Sequence, residues 1–149
     1  MRKVNLILLH ILTPLSLGAL IYIAFRNKSL TIFRWFDKIS ISEFTDSIRN
    51  LLNPLKNNIP DWVIFSLPDG LWVYSFTSFL IIIWKNNSES VKYWMILPFA
   101  ILLLIELLQL TKIFTGTCDF TDIYISFLAL IISVYNMKLI PQIYERQTI

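Results

Sequence analysis

Val91–Leu110 reads VKYWMILPFAILLLIELLQL, and Thr121–Ile140 reads TDIYISFLALIISVYNMKLI. At 1.5 Å per residue, each run is long enough to cross about 30 Å of hydrocarbon as a helix. The polar residues collect where the two runs approach one another. Glu106 and Gln109, three residues apart, lie near the end of the first, while Asp119 and Asp122, also three apart, stand at the start of the second. A turn of about ten residues joins the runs, so both pairs belong at one face of whatever the helices cross. Asp69, at the start of an earlier apolar run, falls at the same end. Across a membrane, carboxylates at such depth are costly and rare, and by default functional or paired.

The composition agrees with a membrane. Of 149 residues, 56% are apolar and 15% charged, with a mean hydropathy of +0.63, whereas soluble domains average about 25% charged. The length fits one domain over residues 1–149. A net charge of +3 and a pI of 9.1 do not indicate nucleic acid, because the basic residues are scattered around apolar segments and form no stripe. The single cysteine, Cys118, excludes an internal disulfide and a cysteine-rich zinc site.

The expected fold is an all-α integral membrane protein, a bundle of four transmembrane helices. The spans fall at about 4–25, 68–84, 91–110 and 121–140, with an interfacial amphipathic helix at about 41–52 between the first and second. Arg2 and Lys3 precede the first run as in a signal peptide. The run is too long and lacks a small-x-small cleavage site, so it reads as a retained anchor. Pro68 suits the first turn of the second span, which Lys85-Asn86-Asn87 stops and which could borrow length from Trp62 to Leu67. Pro98 predicts a kink in the third. Asp119 or Thr121 caps the fourth, which fades at Pro141. Trp62 and Trp72 at one interface, and Trp84, Tyr93 and Trp94 at the other, have the spacing of an aromatic belt. Ser40-Ile41-Ser42-Glu43 is a capping-box pattern. After it Ile41, Phe44, Ile48, Leu51 and Leu52 recur at helical spacing, as in a helix lying in the interface plane.

Orientation is weakly encoded, since long loops count for little in the positive-inside balance. The first helix leans towards both termini in the cytoplasm, with the acidic end outside. His10, the only histidine, lies in the first span near the opposite face and reads as a packed polar residue. Ser75 and Ser78 could face Glu106, but hydroxyls in apolar helices more commonly tie helices together. Glu106, Gln109 and Lys112 form one stripe if the helix continues.

ELLQ at Glu106–Gln109 and GTCDFTDI at Gly116–Ile123, together with LPDGLW at Leu67–Trp72, resemble the signature of the VanZ-like family of small bacterial membrane proteins. The likeness covers about 60 residues. Cys118 stands where an aromatic is usual, and Ser126 where an Asn is expected. The resemblance implies a multi-pass protein of the bacterial inner (plasma) membrane. It also implies a link to the cell envelope and to low-level resistance to lipid-tailed glycopeptide antibiotics.

Three function classes follow. The first is an envelope protein whose cluster of Asp69, Glu106, Gln109, Asp119 and Asp122 binds a lipid headgroup or a lipid-linked ligand. The second is a small intramembrane acid–base enzyme using Glu106 with Asp119 and Asp122 on a lipid-borne substrate, with or without a divalent cation held by those carboxylates. The third is a structural or accessory subunit whose carboxylates tie helices together. The expected partners are the lipid bilayer and that lipid-linked ligand. No residue pattern specifies a cofactor, a resident metal or a catalytic group.

Overall fold

A computed structural model describes residues 3–84, 93–113 and 117–146, and among these all regular structure is helical. The first apolar run is helical throughout, in three consecutive pieces: α1 (Lys3–Ile7), a π-helical turn (Leu8–Leu12) and α2 (Thr13–Phe25). Pro14 explains the widened turn, because its ring clashes with a carbonyl in the preceding turn and it has no N–H to donate. Side chains add bonds around the turn: the Thr13 hydroxyl donates to Leu8 O at 2.8 Å, and the Ser75 hydroxyl donates to Ile11 O at 2.8 Å.

A surface section follows: α3 (Thr31–Lys38), α4 (Ser42–Leu52), a 3-10 helix (Asn53–Asn58) and α5 (Asp61–Phe65). The amphipathic helix is there, but the capping box does not form. Ser40 is instead left-handed, with φ 57°, and terminates α3. Ser40 N–H reaches Asp37 O at 3.2 Å and Ile41 N–H reaches Phe36 O at 2.9 Å, the paired bonds of a Schellman ending. With Ser40 used in that way, Ile41 stands at the N-cap of α4 without a side-chain bond. The apolar residues of α4 are also divided. Ile48 and Leu52 pack on a core of Ala24, Phe25 and Ile64, while Phe44 and Leu51 face outward.

α6 (Leu67–Ile83) opens with Pro68 as expected and follows α5 almost without interruption. The third run departs from expectation. Met95 and Ile96 form a turn, and Pro98 sits in the first turn of a new helix, α7 (Leu97–Leu110), instead of kinking a continuous one. The Thr77 hydroxyl donates to Met95 O at 3.3 Å, satisfying a carbonyl at the break. Val91 and Lys92, where that span was expected to start, and the stop at Lys85-Asn86-Asn87 lie outside the described residues. The last helix, α8 (Phe120–Arg146), continues beyond Pro141. A proline near a helix end forfeits one backbone bond without ending the helix when its φ already suits it.

Two helices are long and apolar enough to cross a membrane, Asn5–Phe25 and Phe120–Met137, and Leu67–Ile83 and Leu97–Leu110 are shorter apolar helices. α6 is central, packing along the first helix, α7 and α8. Gly70 lets α6 and α8 meet: a Cβ there would come within 2.7 Å of Ile125 Cγ2. Gly18 does the same for α2 and α6, lying against Pro68 O. The pairings Gly18 with Pro68 and Ile11 with Ser75 make α2 and α6 antiparallel, whereas Gly70 with Ile125 and Ser78 with Ser133 make α6 and α8 parallel. Phe99 packs on Phe127, and Glu106 meets Asp119, so α7 runs back against α8. α2 and α7 therefore end where α6 and α8 begin.

The burial pattern is inverted relative to a soluble bundle. Ser75, Thr77, Ser78, Ser126 and Ser133 are fully buried between helices, while Leu104, Leu107, Ile131, Ile132 and Phe79 face outward.

Candidate functional site: a polar-ended cavity

The converging helix ends border an open-sided cavity of about 970 Å³. Asp69, Glu106, Gln109, Asp119 and Asp122 all line it, so the residues singled out by spacing come together around one space. Its other wall is apolar and extends along α2 through Tyr22, Ala19 and Leu15, facing Trp72, Leu102 and Ile105. The volume is in the range of small-molecule sites, ≈ 300–1,000 Å³.

Each polar residue is held differently. Glu106 is 5% exposed, and its carboxylate accepts the Asp119 N–H at 3.0 Å, tying the turn before α8 to α7. None of the partners expected for Glu106 (Gln109, Lys112 or a neighbouring hydroxyl) is the one observed. Lys112 leaves the stripe altogether, because α7 stops at Leu110. Lys112 then adopts φ 61°, with its N–H on Gln109 O at 2.9 Å and Ile113 N–H on Leu108 O at 3.0 Å. Asp119 caps α8 as expected: its carboxylate accepts the Thr121 N–H at 2.8 Å and its carbonyl the Asp122 N–H at 3.1 Å. Anionic groups are favoured at this positive helix end.

Arg26, outside the expected cluster, also lines the cavity. Its guanidinium lies 3.9 Å from Asp69, donates to Phe65 O at 3.1 Å, and sits over the Tyr22 and Phe65 rings at 5.4 and 5.1 Å. Rings on two sides and an acid on a third fix it in place. No spacing rule could have linked Arg26 to Glu106, because only the tertiary fold brings them together.

The satisfied bonds stop short of completing the site. Arg26 Nε and Ser126 Oγ are buried without a hydrogen-bond partner, while Ser66 Oγ and the Asp122 carboxylate have only each other, short of full hydrogen-bond geometry. Buried polar groups are normally paired, with protein or with something bound. No group of three His, Cys, Asp or Glu among the described residues is arranged to hold a metal ion. Cys118, half-buried in the turn, has its thiol pKa raised by desolvation, by a hydrogen bond to Glu106, and by the negative charge of Glu106, Asp119 and Asp122.

The remaining polar residues form a separate, closed set. His10 Nδ1 is 2.6 Å from the Tyr74 hydroxyl, which also accepts from Asn136 Nδ2 at 3.1 Å. His10 thus stays away from the acids, as its position implied. Ser78 bonds Ser133 at 2.9 Å and Ser75 bonds the π turn, so both serve helix contacts instead of facing Glu106. Compared with known protein families, curated proteins and solved structures, the chain matches none.

Proposed function

We propose that this chain is a multi-pass protein of the bacterial inner membrane, VanZ-like in type, that binds a lipid headgroup or the head of a lipid-linked ligand. The observation that carries the reading is the cavity's division into a polar end and an apolar flank. An amphiphile has the same division. The unpartnered Arg26 Nε at the polar end supports a bound polar head. Four crossings are supported by the alternating helix directions. They are supported too by the inverted burial, since small hydroxyls between helices and large apolar groups outside suit a lipid surround. In this arrangement the outward Phe44 and Leu51 of α4 rest in the interface. Binding of an envelope ligand at the outer face would connect the protein to envelope homeostasis and glycopeptide resistance.

A second reading has its own observation. The bond from Asp119 N–H to Glu106 is a structural tie, as an accessory subunit would use. One scan separates them: Asp69→Asn, Glu106→Gln, Gln109→Ala, Asp119→Asn and Asp122→Asn, each scored for protein abundance and for sensitivity to lipid-tailed glycopeptides. Glu106→Gln keeps an acceptor for the Asp119 N–H but loses charge. Lost resistance at normal abundance supports ligand binding. Lost abundance across the scan supports the structural tie.

A further inference from the structure

Beside the acidic cavity lies a second one, of about 450 Å³, lined by Phe25, Arg26, Asn27, Lys28, Arg49, Lys56 and Phe65. Its chemistry is opposite. Four cationic side chains face one space, and like charges brought together destabilise the site unless an anion joins them. Two carboxylates offset part of the charge: Asp46 pairs with Lys28, and Asp69 lies 3.9 Å from Arg26. The other two cations have no carboxylate partner among the described residues. Arg49 donates to Ile23 O at 2.7 Å and sits over the Phe33 ring at 5.2 Å, contacts that hold its position without cancelling its charge. Lys56 is exposed on the 3-10 helix. Four cations less two carboxylates leave an excess of two positive charges.

The place matters as much as the charge. The pocket sits where α2 ends at Phe25 and the chain turns onto the surface helices, the level at which a helix leaving a bilayer meets lipid phosphates. The two arginines are held by rings and carbonyls, and a preset guanidinium pairs well with phosphate oxygens. Arg26 and Phe65 line both cavities, so the pocket adjoins the polar end, and none of that end's carboxylates lines it.

We propose that this pocket binds the phosphate of a lipid monophosphate or diphosphate, a head with two or more negative charges, in preference to a singly charged phosphodiester. The inference rests on the chain lying in a bilayer. It does not require that the acidic cavity bind anything.

The test uses the full chain in phosphatidylcholine nanodiscs. The probes are phosphatidic acid, phosphatidylglycerol and diacylglycerol of identical acyl chains, with retained lipid measured by native mass spectrometry at several salt concentrations. Phosphatidic acid should be retained at least tenfold more than phosphatidylglycerol, and less so as salt rises. Lys56→Gln and Lys56→Glu, at an exposed side chain, should reduce that preference stepwise, and Lys38→Gln, an exposed lysine that lines neither cavity, should leave it unchanged. Equal retention of the two anionic lipids, or indifference to both Lys56 variants, overturns the proposal. Inorganic phosphate competing as well as the lipid assigns the site to soluble phosphate and overturns its lipid character. Loss of preference in Asp122→Asn alone would move binding to the acidic cavity, overturning this proposal while leaving the earlier one standing.

Discussion

The chain has two sets of polar residues between its apolar helices, and they are finished to different degrees. At the His10–Tyr74–Asn136 node one hydroxyl bonds side chains of two other helices, and nearby Ser75, Ser78 and Thr77 also find partners. At the acidic end, Arg26 Nε and Ser126 Oγ are buried without a partner, Ser66 and Asp122 have only each other, and the space beside Arg26 and Asp122 is open. The first set resembles a bolted joint. The second is a joint with a part missing. In a low-dielectric interior a satisfied polar contact holds helices in register, whereas an unsatisfied one costs free energy that only a ligand, water or relaxation recovers. The contrast divides substitutions into those that unfold the protein and those that empty it.

Ser78→Leu should have the largest effect on stability. It forces a branched side chain into a fully buried position and strips the Ser133 hydroxyl of its partner, costing about 3 kcal/mol by overpacking and lost bonding together. Reversible denaturation in mixed micelles measures it, and a cost near zero would break the description of a closed joint. Tyr74→Phe comes next. Removing the hydroxyl leaves His10 and Asn136 without their shared partner, at about 1–2 kcal/mol, with lipid retention unchanged.

Ser126→Ala should behave oppositely. Its hydroxyl is buried and unpartnered, so its removal should be neutral or raise stability by up to about 1 kcal/mol. A loss as large as that of Tyr74→Phe would show that the two ends are equally finished, and the comparison would collapse.

The smallest effect is kinetic and concerns the thiol. Maleimides react with the thiolate, and desolvation with nearby negative charge holds the Cys118 pKa above its ordinary value. Labelling at pH 7 should therefore be slower than for a free cysteine and should rise steeply with pH. Asp119→Asn should speed it at fixed pH by removing one negative neighbour. Labelling of intact cells by an impermeant maleimide, compared with lysed cells, also reports the side on which the acidic end lies. Reaction only after lysis places it in the cytoplasm and removes direct contact with an extracellular ligand.

Short-range rules predicted the features that short-range forces control. Pro68 at the head of α6 and Asp119 capping α8 are decided within one turn of chain, and both are where the residues put them. The acidic cluster was legible because three-residue spacing at facing helix ends leaves few other places for those side chains to go. The failures share a cause. Ser40 suits an N-cap locally, but ending α3 placed a prior demand on it. Pro98 reads as a kink until Thr77, from another helix, is available to satisfy the carbonyl freed by a full break. Arg26 joins the cavity only through the antiparallel return of α6. Where a partner lies on another helix, local pattern cannot identify it.

The break at Met95–Ile96 leaves α7 with 14 residues, about 21 Å of helix. A bilayer core is about 30 Å thick, and a helix too short for it draws the two leaflets together at modest cost per ångström. α7 forms one wall of the larger cavity, with Leu102 and Ile105. In a bilayer, hydrophobic mismatch would therefore be concentrated beside this cavity. On the proposed reading, a head group in such a thinned patch would lie closer to the cavity's polar end, and the shortness of one helix would lower the barrier to loading the site beside it.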